Sequence, residues 1–263
     1  MAELDRREGR RVFGADPANY DRARPAYPEW VFETLIDRCG LGPRAAVFEI
    51  GAGTGAATRR LLDLGADPLV AIEPDPRLAA FLRDTITDAA LQVVISPFEE
   101  ARLDRADFDL GVSATAFHWL DEDAALARIA ELLRPGGWWA MVWNLFGDDS
   151  RPDPFHEATS LLLNGVTSPS ASPAREQFAL DAEARRAALD RTGAFEAVEH
   201  RAEAWSLALD PDQTVRLYGT YSNITVRADR EAVLAELGRI AREQFAGRVT
   251  RNMITSLYVA RRR

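Results

Sequence analysis

The stretch V-F-E-I-G-A-G-T-G, Val47–Gly55, decides the fold. An apolar run carries a carboxylate, Glu49, then one more apolar residue, then three glycines at alternating positions. This reads as a buried strand entering a tight turn that brings the backbone close to a ligand. The following residues, Ala56 to Leu64, have helical spacing, with Ala57, Leu61, Leu62 and Leu64 able to face a sheet. The glycines therefore sit where a strand becomes a helix, the place where open α/β sheets bind cofactors.

Downstream, Pro68 to Asp75 (P-L-V-A-I-E-P-D) reads as a second buried strand ending in Glu73, 22 positions past Gly51. An acid at that spacing suits both ribose hydroxyls of an adenosine; the plain alternative is a surface acid at a strand end. Asp75 to Asp84 then reads as a helix and Leu91 to Ile95 as a third strand, ending at S-P-F-E-E. There Phe98 is placed to lie against a flat base and Glu99 or Glu100 to accept from an exocyclic amine, and each fits loop surface equally well. Asp107 to Ala114 is a fourth strand, followed by T-A-F-H-W-L. His118 thus falls at a strand's C-terminal end. With an ordinary pKa near ~6.5 it is a candidate proton acceptor, and a packed structural histidine is the alternative. Asp121 to Leu133 reads as an amphipathic helix capped by Asp121. Arg134 to Gly137 (R-P-G-G) ends it, and Trp138 to Asn144 is a fifth strand. This alternation predicts an α/β fold with a doubly wound, mostly parallel sheet.

The alternation then breaks. Residues 145–180 are rich in Asp, Pro and Ser, with a helical piece near Phe155 to Leu163, and read as a lid-like insertion. In the last part, residues 181–263, Asp181 to Arg191, Pro211 to Tyr221 and Arg230 to Phe245 read as helices. Phe195 to Leu207 and Met253 to Arg261 are strands, predicted to form an antiparallel hairpin at the sheet edge and to bring the sheet to seven strands. At the other end, residues 1–29 form a polar, proline-marked leader, followed by a helix from Trp30 to Cys39 closed by Gly40. In the leader's A-N-Y-D-R-A-R-P-A-Y-P, Ala18 to Pro28, an aromatic ring and a guanidinium could cover a bound zwitterion, or the tyrosines could simply pack on a core. The expectation is one domain across 1–263, with the cofactor core at 30–144.

Bulk properties narrow the function. The net charge of −9 over 263 residues argues against a general nucleic-acid binder, which needs a clustered positive surface. The basic ends, Arg6, Arg7, Arg10 and Arg11 and Arg261 to Arg263, read as solvated tails. The one cysteine, Cys39, falls in an apolar helical stretch where packing is expected, and an internal disulfide is ruled out. No apolar run is long enough for a bilayer, and no apolar segment follows a basic start, so a cytoplasmic protein without a membrane partner is expected.

The order of these signals resembles the class I S-adenosylmethionine-dependent methyltransferases, over residues 13–145 in motif and the whole chain in element order. The likeness is carried by E-I-G-A-G-T-G at Glu49–Gly55, Glu73 in A-I-E-P-D, F-D-L at Phe108–Leu110 and L-L-R-P-G-G at Leu132–Gly137. The leader Y-D-R-A-R-P-A-Y-P and A-T-A-F-H-W at Ala114–Trp119 resemble a bacterial small-molecule branch, grouped with trans-aconitate and quinone-precursor enzymes. The resemblance implies a Rossmann-like fold binding S-adenosylmethionine, with S-adenosylhomocysteine as product. It implies that Gly51, Gly53 and Gly55 pass under the methionine and ribose parts, with Glu49 near the amino group and Glu73 on the ribose. Pro74 and Ala114 would line the site, Phe98 would flank the adenine, and Tyr20 and Arg24 would close over the methionine end. One departure is Pro97, where many relatives carry an aspartate for the adenine amine; those contacts then fall to backbone groups or Glu99.

A sulfonium already activates its methyl group, so such an enzyme mainly positions its reactants in a water-poor site. His118 is the expected base for an acceptor that needs one. No metal is called for. Two other classes compete. A nicotinamide-dinucleotide oxidoreductase shares Gly51, Gly53, Ala56 and Glu73, but Glu49 before the loop and R-P-G-G before the fifth strand tell against it. A non-catalytic S-adenosylmethionine-binding protein is the other. Neither the acceptor, expected to be a small molecule, nor the oligomeric state is written in any motif.

Overall fold

The computed structural model describes residues 2–3, 13–104, 106–148, 150–164, 166–167 and 177–263. Arg6, Arg7, Arg10 and Arg11, and positions 165 and 168–176 of the expected lid, lie outside the described residues. Seven strands form one sheet: β1 (Ala45–Ile50), β2 (Ala66–Ile72), β3 (Leu91–Val94), β4 (Phe108–Ala114), β5 (Leu133–Phe146), β6 (Phe195–Leu209) and β7 (Val249–Arg262). Their order is β3-β2-β1-β4-β5-β7-β6. The first five are parallel and the last two make the antiparallel C-terminal hairpin, with helices on both faces. The doubly wound sheet read from the sequence is therefore present. A separate pair of two-residue strands joins Ala2–Glu3 to Val166–Thr167 in parallel.

The helices are α1 (Pro17–Ala23), α2 (Glu29–Cys39), α3 (Ala56–Asp63), α4 (Pro76–Thr85), α5 (Glu122–Leu132), α6 (Pro154–Leu163), α7 (Ala182–Arg191), α8 (Pro211–Tyr218), α9 (Ser222–Thr225) and α10 (Arg230–Glu243). Several begin on an aspartate whose side chain accepts an amide of the first turn: Asp75 from Arg77, Asp121 from Ala124, Asp153 from His156 and Asp181 from Ala184. Such caps satisfy donors that have no partner within the helix. The expected helix from Pro211 to Tyr221 stops at Tyr218 and restarts as α9.

Two compact units are distinguished along the chain. The core unit comprises Ala26–Trp143, Phe178–Ala202 and Ser256–Arg263, and the second comprises Met1–Pro25, Asn144–Gln177 and Glu203–Thr255; β5, β6 and β7 contribute residues to both. In the core unit, Val47, Leu69, Leu110 and Val142 from four strands pack with Val31, Leu35 and Leu61 from the helices. Cys39 is buried there, which pushes its thiol up to about 12. This is a packing cysteine.

The second unit has its own apolar cluster, built on Phe155, Leu217, Tyr218, Leu237 and Ile240. Inside it Arg251 donates to Asp153 at 2.8 Å and to the Tyr218 hydroxyl. Because Asp153 also caps α6, the described part of the insertion is tied down by a buried ion pair.

R-P-G-G was expected to lie ahead of the fifth strand, yet it falls inside β5. Phe108 pairs with Leu133 and Leu110 with Trp138, so the intervening residues of β5 bulge out of register. Asp109 fixes this corner: it pairs with Arg134 at 2.6 Å and accepts the Ala46 amide at 2.8 Å. The F-D-L acid is thus structural.

The sheet is close-packed where Phe48 on β1 meets Gly111 on β4. A Cβ at Gly111 would lie 2.3 Å from the Phe48 ring, itself held by Phe98, Phe108 and Trp139. Gly111→Ala should therefore cost about 1–3 kcal/mol in denaturant unfolding, the usual penalty of overpacking. An unchanged midpoint would mean that the ring cluster yields freely.

Candidate functional site

The candidate site lies at the C-terminal ends of the parallel strands. Strand β1 has β2 on one side and β4 on the other, so the order reverses around it, which opens a crevice at the strand tips. The register aligns the tips: Ile50 pairs with Ile72 and Ser113, and Ile72 with Val94. Beyond Ile50 the backbone turns through Gly51, Gly53 and Gly55, with φ of 71°, 58° and 92°. This left-handed region is open to glycine at little cost.

The three glycines have different surroundings. A side chain at Gly51 would strike Ala116 Cβ at 2.4 Å, and one at Gly55 would strike Leu82 and Ile86 at 2.5 and 2.7 Å. These two are required by packing. Above Gly53 there is nothing within 4 Å, so here alone of the three the backbone faces open space. The turn is fixed by the Gly51 and Ala52 amides, which donate to Ile72 O at 2.8 and 3.2 Å.

Two buried carboxylates flank this turn. Glu73 accepts the Gly53 amide at 2.8 Å on one oxygen and the Asp75 amide at 2.8 Å on the other. Glu49 accepts the Thr58 hydroxyl at 2.6 Å. Burial pushes Glu49 up to about 8, against the pull of the Thr58 hydroxyl, and the Glu73 charge adds to the rise. Burial likewise pushes Glu73 up to about 7, although both amides favour its ionised form. Two acids close to one cradle are therefore poised around neutrality, each ready for a cationic or hydrogen-bond-donating ligand.

Across the crevice β4 ends at Ala114. Thr115 then takes φ of 57°, uncommon for a β-branched residue, and its hydroxyl bonds the Tyr27 hydroxyl at 2.8 Å. The strain is local, and the turn presents Ala116 to Gly51. His118 follows in a single helical turn, Phe117–Trp119, and its Nδ1 takes a hydrogen bond from Trp143 Nε1 at 3.1 Å.

The remaining expected residues divide. Pro74 is half-buried directly after Glu73. Phe98 is 2% exposed, stacked on Phe48 at 6.4 Å with the Arg128 guanidinium 5.1 Å from its ring. Its ring is core, occupied by protein on these sides, and so does not present a platform to an adenine. Glu99 is exposed, and its carbonyl accepts from Arg128. Tyr20 and Arg24 belong to the second unit, where Arg24 lies 5.1 Å from the Tyr20 ring and 5.2 Å from Tyr221, and donates to Thr220 O at 3.0 Å. Sequence reasoning missed Thr58, in the first turn of α3, whose hydroxyl donates to Glu49; Ile95, just past the end of β3, is an exposed apolar residue, 44% accessible. Ile95 carried a signal: it is an apolar residue at the strand end where the core pattern stops. Among the described residues no group of three His, Cys, Asp or Glu side chains could hold a metal ion, and no helix is long and apolar enough to cross a membrane.

Residues 48–141 match the family model described as a methyltransferase domain. That segment contains the glycine turn, Glu73, Ala114 and His118. An uncharacterized methyltransferase of Mycobacterium tuberculosis is 36% identical over 141 residues, 53% of this chain and 54% of its own length. The chain thus spans about half the length of the curated relatives it matches. Among solved structures, a candidate type II methyltransferase from Anaeromyxobacter dehalogenans superposes with a TM-score of 0.63 at 22% identity, over 90% of this chain and 97% of that one. Phosphoethanolamine N-methyltransferase 2 of Haemonchus contortus, in complex with phosphomonomethylethanolamine and S-adenosylhomocysteine, gives 0.56 at 14% identity, over 98% of this chain and 60% of that one. The chain shares the Rossmann-like fold of these methyltransferase structures.

The raised carboxylates set a pH dependence. A carboxylate whose folded pKa lies above its unfolded value makes its full contribution below the unfolded value and loses it as pH rises through the folded one. For Glu49 that window runs from 4.5 to about 8. Glu49→Gln keeps an acceptor for Thr58 and removes the titration. Its stability relative to the parent protein should rise as pH goes from about 5 to about 8, read from thermal midpoints at each pH. A constant difference would place the Glu49 carboxyl at an ordinary pKa.

Proposed function

We propose that the chain is an S-adenosylmethionine-dependent methyltransferase acting on a small molecule. The observation that carries this reading is the Gly53 position: open space above a backbone whose amide is tied to the buried Glu73, with Glu49 buried beside the same turn. The family match over residues 48–141 and a structural neighbour bound to S-adenosylhomocysteine support it.

The residues present fit the cofactor. A side chain at Gly53 would project into the open space, so glycine keeps it clear for a ligand against the backbone. Glu73 retains lone pairs beyond the two amides it accepts, enough to receive ribose hydroxyls. Glu49, whose charge state is set by burial, Thr58 and Glu73, gains an ionised form when an ammonium approaches. Pro74 and Ala114 border the cradle at the tips of β2 and β4. We assign the adenine to the exposed side of Ile95 rather than to Phe98, whose ring is packed in the core. When bound, S-adenosylmethionine supplies a methyl group activated by its sulfonium. The chain's part is then to hold the reactants in line and exclude water. A small acceptor, the finer likeness of the leader and of A-T-A-F-H-W, accords with the acidic net charge of −9.

A nicotinamide dinucleotide fits less well. Its pyrophosphate would lie near the buried Glu49, where it would disfavour ionisation of that carboxyl further and offer it no cation. Calorimetric titration separates the two: S-adenosylhomocysteine should bind and NAD should not, and binding of NAD alone would overturn the proposal. Glu73→Ala should weaken S-adenosylhomocysteine by ~10-fold or more, since a charged hydrogen-bond partner contributes about 1.5–3 kcal/mol. Unchanged affinity would remove the ribose role.

A further inference from the structure

His118 and Trp143 both lie in the core unit, one in the turn after β4 and the other near the end of that unit's part of β5. The indole nitrogen of Trp143 is 3.1 Å from His118 Nδ1. An indole nitrogen only donates, so Nδ1 must be the nitrogen that offers its lone pair. A neutral imidazole in that state carries its single hydrogen on Nε2. Trp143 is 2% exposed, which takes its N–H away from water. A second proton on Nδ1 would set two N–H groups against each other and strand a buried donor.

The ring's surroundings do not favour a second charge. Trp119 lies 5.1 Å from it and Phe178 6.4 Å, centroid to centroid. Next to Phe178, Arg185 lies 3.5 Å over its ring and pairs with Glu122 at 2.8 Å. The Glu122 carboxylate is therefore matched by a cation of its own.

We propose that Trp143 is a positioning residue that holds His118 neutral with its proton on Nε2, so that His118 meets the methyl acceptor as a hydrogen-bond donor and not as its base. For the reaction this rests on the methyltransferase reading; the tautomer itself does not. In the transfer, the acceptor's own electron pair forms the new bond to the methyl carbon, and the displaced pair remains on the sulfur of the methyl donor. No proton passes to His118. The acceptor class is thus one whose nucleophile arrives with its lone pair free: an oxyanion, a carbanion or an uncharged amine whose proton leaves later to solvent. This replaces the role of proton acceptor expected from residue type and position.

Long-range 15N–1H correlation of the labelled full chain tests it directly. The protein has three histidines, and His118 is identified by the signal lost in His118→Gln. Its ring should show the Nε2–H tautomer, because the indole can only donate to Nδ1. Trp143→Phe keeps an aromatic ring, removes the donor and should raise the titration midpoint relative to the parent protein, because protonation no longer strands the indole. An Nδ1–H tautomer in the parent protein, or a midpoint that Trp143→Phe leaves unmoved or lowers, would each overturn the proposal. If Trp143→Phe does not fold, the tautomer of the parent protein decides alone. S-adenosylhomocysteine calorimetry on the same sample keeps the two readings apart: an Nε2–H tautomer without binding sinks the cofactor assignment and leaves the tautomer standing.

Discussion

The backbone between Ile50 and Ala56 is the constraint on which the rest of the site depends. Three left-handed residues at alternate positions carry the chain out of β1 and into α3 without a side chain in the way. The turn is held from several sides. Ile72 accepts two of its amides, Glu73 a third, and Ala116 closes on Gly51 from the far strand. The tips of β2 and β4 are therefore positioned by the same few residues that leave the surface over Gly53 bare. Fold and cradle are one piece of geometry here, because the contacts that set the strand order also set where a ligand can approach.

Electrostatics gives that geometry a preference. Burying a carboxylate without a cation is costly, and such a group tends to stay protonated or to acquire a partner. The chain contains both outcomes. In the second unit Asp153 is buried against Arg251 and its charge is met within the protein. In the cradle the groups that set the charge on Glu49 are Thr58 and Glu73, and neither is a cation. A ligand carrying an ammonium and hydroxyl groups would supply the partner that lets Glu49 ionise, whereas a pyrophosphate would only hold it protonated. The site's chemistry is read from this contrast and not from the glycines alone.

Much of this was legible in the sequence, for identifiable reasons. The parallel strands announce themselves as apolar runs because both faces of the sheet are covered, and Asp75, Asp121 and Asp181 mark helix starts through a side-chain bond that spans only a few residues. Contacts that close at long range were not legible. R-P-G-G looked like a helix end and is a bulge within β5, because its register depends on Asp109 in another strand. Phe98 looked like a ligand platform by position, yet its ring is claimed by Phe48 and Arg128. Thr115 at φ of 57° and the Trp143–His118 bond leave no trace in composition or spacing, since each depends on which atoms the folded strands bring together. The last of these bears on a role: residue type made His118 a candidate base, and the neighbouring indole is the ground on which we propose it as a donor.

If the cradle takes a cation-bearing cofactor, as we propose, the buried Glu49 carboxyl becomes ionised as the cradle fills. Calorimetry of S-adenosylhomocysteine binding near pH 7.5, repeated in buffers of different ionisation enthalpy, measures the protons exchanged on binding. A net release of protons is expected, reduced in Glu49→Gln. Binding with no proton release, or with uptake, would contradict it.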